Sequence, residues 1–368
     1  MRILYICNAS NFLGIGGMEY HLIDITGWLQ GHGVETALAV REGTYFHKTI
    51  LNNKPNVYPL SWTGLHKFFS FIQVGKAIRD FSPDIISINR ERDIIRVFLI
   101  AKLIGFFTRK RPKIVAVFHN AGWKKFYVLG HFDGIIFPTR YMSQGYLSKN
   151  NSAGPIAQTI YHGIQLTNDG SGDKFNPART RRYLKGLSFP IIGMIGEMRK
   201  NQTELIDVAY HLKKKNIDFT IAFIGRGNEG ELNVLKEKID RLGLMKNIIF
   251  TGRVDRNQIP DVLYDLDISI TTNRSEPFGI VHIESLAAYT PVVAYNSGGL
   301  IEILEHGGGV LVNGGPENMA DELFTLITNH QRIKSLGIEG RDSVEKNFSI
   351  EAMGGKHLKF YSDIASKP

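Results

Sequence analysis

Short apolar runs rich in β-branched residues alternate with helix-spaced patterns along nearly the whole chain, and this alternation limits the fold more than any other feature. Arg2–Ala9, Thr36–Val40, Val57–Leu60, Asp84–Asn89, Lys113–Asn120, Gly134–Thr139 and Gln158–Ile164 read as strands. A second set lies near 190–196, 219–225, 248–252, 267–272, 291–295 and 309–312. Strands joined through helices pair in parallel, and a parallel sheet is covered on both faces. The predicted class is therefore α/β, with two sheets built to one plan. The polar, turn-rich stretch Asn168-Asp169-Gly170-Ser171-Gly172-Asp173 opens a linker over 167–189. A chain of 368 residues then holds domains at 1–166 and 190–346, with a terminal helix in 347–368.

The charge is unevenly spread. Residues 1–166 hold 19 Lys+Arg against 9 Asp+Glu, and the remainder hold 25 against 26. A basic half beside a neutral one predicts an anionic partner: nucleic acid, a membrane surface or a phosphate-bearing acceptor. Leu65–Phe81 carries Phe68, Phe69 and Phe71 with Lys67, Lys76 and Arg79. Ile94–Phe107 is apolar and ends in Thr108-Arg109-Lys110-Arg111. Such segments either lie on an anionic bilayer or form core helices with solvated basic ends. The longest apolar run is interrupted by Arg96 and Lys102 and is too short to span a bilayer. Ile3–Cys7 is too short for a secretory signal, and the single cysteine leaves no internal disulfide, which fits a reducing compartment. The expectation is a cytoplasmic protein whose basic half can meet the inner face of a membrane.

Residues that carry chemistry gather at strand-to-helix turns, where open parallel sheets bind ligands. The run Ile268–Thr272 leads into Ser275-Glu276-Pro277-Phe278-Gly279-Ile280-Val281-His282-Ile283-Glu284. Ile280, Ile283, Leu286 and Ala287 recur at helical spacing, so Glu276 falls on the turn and Glu284 about two turns into the helix. Unpaired N–H groups at a helix start make an anion site. Two carboxylates beside it suit a phosphate flanked by hydroxyl-bearing groups, as in a sugar nucleotide; they equally fit acids decorating an exposed helix start. Gly14-Ile15-Gly16-Gly17-Met18-Glu19 joins the first strand to a helix with Leu22, Ile25, Trp28 and Leu29 on one face. It reads as a phosphate cradle or a tight turn, without the order of a dinucleotide fingerprint. His119 closes the strand Ile114–Phe118 and points to the same sheet end. Glu197-Met198-Arg199-Lys200-Asn201-Gln202 forms the first turn of the second set, and its adjacent cations suit a diphosphate. Asp265-Leu266-Asp267 superficially matches an Asp-x-Asp metal motif, but it begins a strand, so it reads as a helix end and a strand entrance.

Glu276-x7-Glu284 around Pro-Phe-Gly, followed by Pro291-Val292-Val293-Ala294, Ser297-Gly298-Gly299 and Glu302, resembles the signature of the retaining glycosyltransferases of family four. The resemblance implies two Rossmann-like domains facing across a cleft (the GT-B fold) and a C-terminal helix crossing back to the first domain. Leu358, Phe360 and Tyr361 would supply that helix's buried face. It places Glu276 on the transferred sugar and Glu284 on the ribose. Lys200, Arg199, the Gly16-Gly17 loop and the backbone at Phe278, Gly279, Ile280 and Val281 would meet the diphosphate. His119 matches the family's active-site histidine, and Arg226 and Val254 fall in loops that resemble its base-binding loops. The chain departs from the family where Glu197 stands in the place of an Arg and where His162, in Tyr161-His162-Gly163-Ile164, replaces an Asn. The implied reaction moves a sugar from a UDP- or GDP-linked donor to a glycan or lipid-linked acceptor hydroxyl, with retention. No metal, other cofactor or nucleic acid is expected, and the implied setting is polysaccharide or glycolipid biosynthesis. The same architecture also admits a nucleotide-sugar 2-epimerase or a nucleotide-binding module without catalysis.

Overall fold

The computed structural model describes all residues except 9–15, 52–55, 62–68, 91–92, 108–110, 120–131, 149–155, 167–173, 177–178, 188 and 368. The chain forms two compact units, Met1–Gln165 with Ser349–Pro368, and Leu166–Phe348. Among the described residues the first unit holds strands β1 (Arg2–Cys7), β2 (Glu35–Arg41), β3 (Val57–Leu60), β4 (Ile85–Ile88), β5 (Lys113–Val117), β6 (Gly134–Phe137) and β7 (Ile156–Thr159). They make one parallel sheet in the order β3-β2-β1-β4-β5-β6-β7. Side chains alternate across a strand, so β1 feeds two cores. Leu4 and Ile6 pack with Val74, Ile78 and Val97 of helices Phe69–Phe81 and Ile94–Phe107. Ile3 and Tyr5 pack with Leu22 and Ile25 of helix Gly17–Gly31 and with Phe360 and Ile364 of helix Ile350–Ala365. The last helix thus completes the first unit, with Leu358 partly buried beside Phe360 and Tyr361.

The second unit holds β8 (Ile191–Ile195), β9 (Thr220–Ile224), β10 (Ile248–Gly252), β11 (Ile268–Thr271), β12 (Val292–Tyr295) and β13 (Gly309–Val312). These pair in parallel in the order β10-β9-β8-β11-β12-β13. In both sheets the chain reverses direction across the sheet at one place, between β1 and β4 and between β8 and β11. Loops diverge there and leave a crevice at the strands' carboxyl ends.

Two local readings differ in extent. The strand expected over Gln158–Ile164 occupies Ile156–Thr159. Tyr161–Gly163 leave the sheet to meet the last helix, where a Cβ on Gly163 would lie 2.3 Å from the Ser349 carbonyl oxygen. The polar residues Asn168–Asp173 lie outside the described residues, but Lys174–Asn176 and Arg179–Leu187, read as linker, belong to the second unit. Buried Lys174 Nζ donates to the carbonyls of Leu263 (2.8 Å), Tyr264 (2.8 Å) and Leu266 (2.6 Å) at the end of helix Ile259–Asp265. Asp267 accepts from Arg179 (2.8 Å) and Arg181 (3.0 Å), and Asp265 accepts the N–H groups of Arg182, Tyr183 and Leu184. The two aspartates are a helix end and a strand entrance, as the sequence implies. Among the described residues, no helix is long and apolar enough to cross a membrane, and no group of three or more His, Cys, Asp or Glu is arranged to hold a metal ion.

Candidate active site

The switch point of the second sheet brings two loops together. β8 ends at Ile195, and the turn Glu197–Lys200 leads into helix Gln202–Lys213 through Asn201, which sits at φ 68°, a conformation Asn tolerates. β11 ends at Thr271, and Asn273 and Glu276 follow before helix Ile280–Ala287. The Thr272 hydroxyl donates to the Asn201 carbonyl at 2.7 Å, and Asn201 Nδ2 donates to the Thr272 carbonyl at 3.1 Å, lashing the loops to one another. Lys200 Nζ then lies 3.1 Å from Glu276 Oε2, and Asn273 Nδ2 donates to the same oxygen at 2.9 Å. Both contacts fall on Oε2, so Glu276 Oε1 is left without a partner among the described residues. The backbone of this loop rests on Ser297-Gly298-Gly299: Gly299 N donates to the Glu276 carbonyl at 2.8 Å. Gly298 has φ 67°, and a Cβ there would stand 2.9 Å from that same oxygen. The glycine pair downstream of the acidic motif is therefore the floor under Glu276.

Glu284 lies on helix Ile280–Ala287, whose N-cap is Gly279; Phe278 is buried, while Ile280 and Val281 are partly exposed. His282 N donates back to the Gly279 carbonyl at 2.9 Å, which leaves the N–H groups of Ile280 and Val281 as the ones that open the helix. Glu284 sits at the fifth position of the helix, nearer its start than the spacing implied, and its carboxylate pairs with Arg256. His282, which the sequence did not single out, is buried beneath Glu276. Burial pushes its pKa down to about 4, the Glu276 charge acting against that shift and Lys200 with it. The ring is therefore neutral near pH 7.

Glu197 accepts from Arg199 Nε at 2.6 Å and from Arg226 at 3.3 Å. Partial burial raises the Glu197 pKa, but the hydrogen bonds and charges of the two arginines outweigh it and hold the carboxyl below its usual value. Two guanidiniums thus flank Glu197. Lys200 and Glu276 meet directly, whereas Arg199 and Arg226 gather on Glu197. Val254 is partly buried in the cluster under β8 and β9 and anchors the loop after β10. Arg226 on Glu197 and Arg256 on Glu284 carry no local pattern that would have marked these contacts, since each depends on strand order, whereas Asn273 reaches Glu276 within one loop and was not singled out.

In the first unit Gly16 is the N-cap of helix Gly17–Gly31, and Glu19 Oε2 accepts from Gly16 N at 3.1 Å. The glutamate of the Gly-Gly-x-Glu segment caps its own helix; Gly14 and Ile15 lie outside the described residues. His119 follows β5, and its Nε2 is 3.4 Å from Asn89 Oδ1. Three histidines from distant elements surround it: ring centroids lie 5.4 Å away for His21 and for His162, and His357 approaches His21 at 5.7 Å. His162 Nδ1 and His21 Nδ1 are 3.0 Å apart, so one ring donates there and the other accepts. Burial lowers the His119 pKa well below 6.5, and the charges that His21, His357 and Arg90 would carry lower it further. His119 is a neutral ring near pH 7.

Residues 176–343 match the family model described as Glycosyl transferases group 1, and residues 15–168 match that described as Glycosyltransferase Family 4. The chain is 27% identical over 274 residues to the lipopolysaccharide core biosynthesis mannosyltransferase LpsB of Rhizobium meliloti, covering 71% of each chain. It is 25% identical over 244 residues to spore coat protein SA of Bacillus subtilis, covering 62% of this chain and 64% of that one. It thus spans about two thirds of the length of these relatives. Among solved structures, Anabaena HepE in complex with UDP and glucose shares its fold, with a TM-score of 0.77 and 20% identity over 98% of this chain and 99% of that one.

Proposed function

We propose that this chain, which belongs to the family-four glycosyltransferases of the GT-B type, moves a sugar from a UDP- or GDP-linked donor to a hydroxyl of a glycan or lipid-linked acceptor, with retention at the anomeric carbon. The observation that carries this reading is the Lys200 ammonium 3.1 Å from Glu276 at the switch point, beside a helix start. Lys200 and the first amides of helix Ile280–Ala287 stabilise the departing diphosphate. Arg199, with Arg226, supplies the guanidinium charge that Glu197 displaces. Glu276, through Oε1, accepts from hydroxyls of the transferred sugar, and Glu284 accepts from the ribose. The bond from the anomeric carbon to the phosphate oxygen breaks, the acceptor oxygen bonds on the same face, and its proton passes to the leaving phosphate. Neutral His119 contributes a hydrogen bond. These cations and amides carry the neutralisation, so no metal is assigned. The name of LpsB supports a glycan or glycolipid product, and the ligands of HepE support a nucleotide-sugar donor.

Incubating donor with and without acceptor, and resolving the product anomer by NMR, tests the reading. Wild-type protein should give the donor's anomer, and Glu276→Gln should be slower by about 100-fold or more. Wild-type turnover in that variant, or conversion of donor to its 2-epimer without acceptor, overturns it.

The acceptor side also supports an anionic membrane partner and a cytoplasmic, peripheral location. Helices Phe69–Phe81 and Ile94–Phe107 lie against each other and expose Ile72 (60%), Ile95 (47%) and Leu99 (56%), with Lys76, Arg79 and Lys102 exposed on the same two helices. Apolar side chains mixed with cations suit the headgroup boundary. Wild-type protein should sediment with vesicles of anionic lipid at low salt, and Leu99→Glu should weaken this; wild-type protein left in solution would end the idea.

A further inference from the structure

We propose that Arg256 is a specificity-determining residue of the donor site: its guanidinium and the Glu284 carboxylate together read the ribose 2′- and 3′-hydroxyls and restrict the site to ribonucleotides. The inference rests on the proposed donor site, and specifically on Glu284 facing the ribose. Glu284 is a largely buried acid, its side chain 10% exposed, and Arg256 is the one partner its carboxylate has among the described residues. Arg256 opens the short 3-10 turn Arg256–Gln258 that leads into helix Ile259–Asp265, and that helix lies beside helix Ile280–Ala287. Val254, two residues earlier, is packed into the cluster under β8 and β9, so the loop that presents Arg256 is anchored. The Arg256 side chain is 43% exposed.

A vicinal diol asks for both kinds of partner. Each hydroxyl donates one hydrogen and accepts others, whereas a carboxylate only accepts and a guanidinium only donates. Side by side, the two groups satisfy both functions of the 2′- and 3′-hydroxyls. A 2′-deoxyribose would leave a buried carboxylate oxygen and a guanidinium N–H without their partner, and sites built around a hydroxyl reject the analogue that lacks it.

The test measures binding of UDP, GDP and their 2′-deoxy forms to the full chain by calorimetry, with thermal unfolding to confirm that each variant is folded. Wild-type protein should bind its preferred ribonucleotide about 10- to 100-fold more tightly than the deoxy form. Arg256→Ala should narrow that ratio to within about threefold, chiefly by weakening the ribonucleotide, and Arg256→Lys should recover part of it. Equal affinity of the wild type for ribo and deoxy forms, or an unchanged ratio in Arg256→Ala, overturns the inference while leaving the donor site standing. Failure of both UDP and GDP to bind overturns the donor site and this inference with it.

Discussion

Removing the Lys200 ammonium should slow sugar transfer by about 30- to 1,000-fold while the protein stays folded. Lys200 Nζ is 3.1 Å from Glu276 Oε2, and the lysine side chain is 41% exposed. An ion pair that open contributes at most about 1 kcal/mol. Lys200→Ala should therefore shift thermal unfolding by no more than about 2–4 °C. The transition state is different, because a full charge develops on the departing diphosphate close to the same ammonium. Two unit charges about 4 Å apart interact by about 1 kcal/mol in water and about 4 kcal/mol at the effective dielectric of a protein surface. A bound donor displaces water from a group already more than half covered, which places the term at about 2–4 kcal/mol. At about 1.36 kcal/mol per decade that is the stated range. The ground-state diphosphate already carries charge, so donor KM rises as well, and kcat falls further as the leaving group gains charge. Release of nucleotide diphosphate, followed over a range of donor concentrations, separates the two constants. Lys200→Arg keeps the charge and should regain most of the rate. A loss below about threefold in Lys200→Ala, or one matched by a smaller folded fraction, refutes the assignment.

Asp267→Ala would strand Arg179 and Arg181, both buried, and remove the acceptor of Ile191 N at 2.8 Å. Breaking such a pair from one side costs about 3–5 kcal/mol, which denaturant unfolding would read; a loss under about 1 kcal/mol would show that the guanidiniums reach water. Acid should destabilise the fold early. Burial holds His21 and His282 at about 4 against 6.5 in the unfolded chain, so the unfolded state binds more protons between those values. The stability is fully present above pH 6.5 and lost as pH falls toward 4, by up to about 1.4 kcal/mol per pH unit for each ring. Urea midpoints at pH 7 and pH 5 check this, and equal midpoints would place both histidines in contact with solvent.

The strand–helix alternation, and with it the α/β class, is legible because a strand buried on both faces must be apolar at nearly every position, as Ile85–Ile88 is. The end of each run marks where a loop leaves the sheet, so Glu276, Lys200 and His119 could be placed at carboxyl ends from local pattern alone. Glu284 was legible through helical spacing. Extents were harder: Gln158–Ile164 looks like one apolar strand, yet it ends at Thr159 because the last helix claims Gly163, nearly two hundred residues from its partner Met353.

By itself the amino-acid sequence determined the elements, their order along the chain and the residues that stand at strand ends, since each of these follows from periodicity within a dozen positions. Only the tertiary structure decided which ends meet. Setting β8 beside β11 brings Lys200 to Glu276, 76 positions away, and the helices after β10 and β11 bring Arg256 to Glu284. His119 and the three histidines around it converge in the same way from separate elements. Side-chain pairing across a sheet depends on the order in which strands assemble, and that order is chosen by burying all the elements at once.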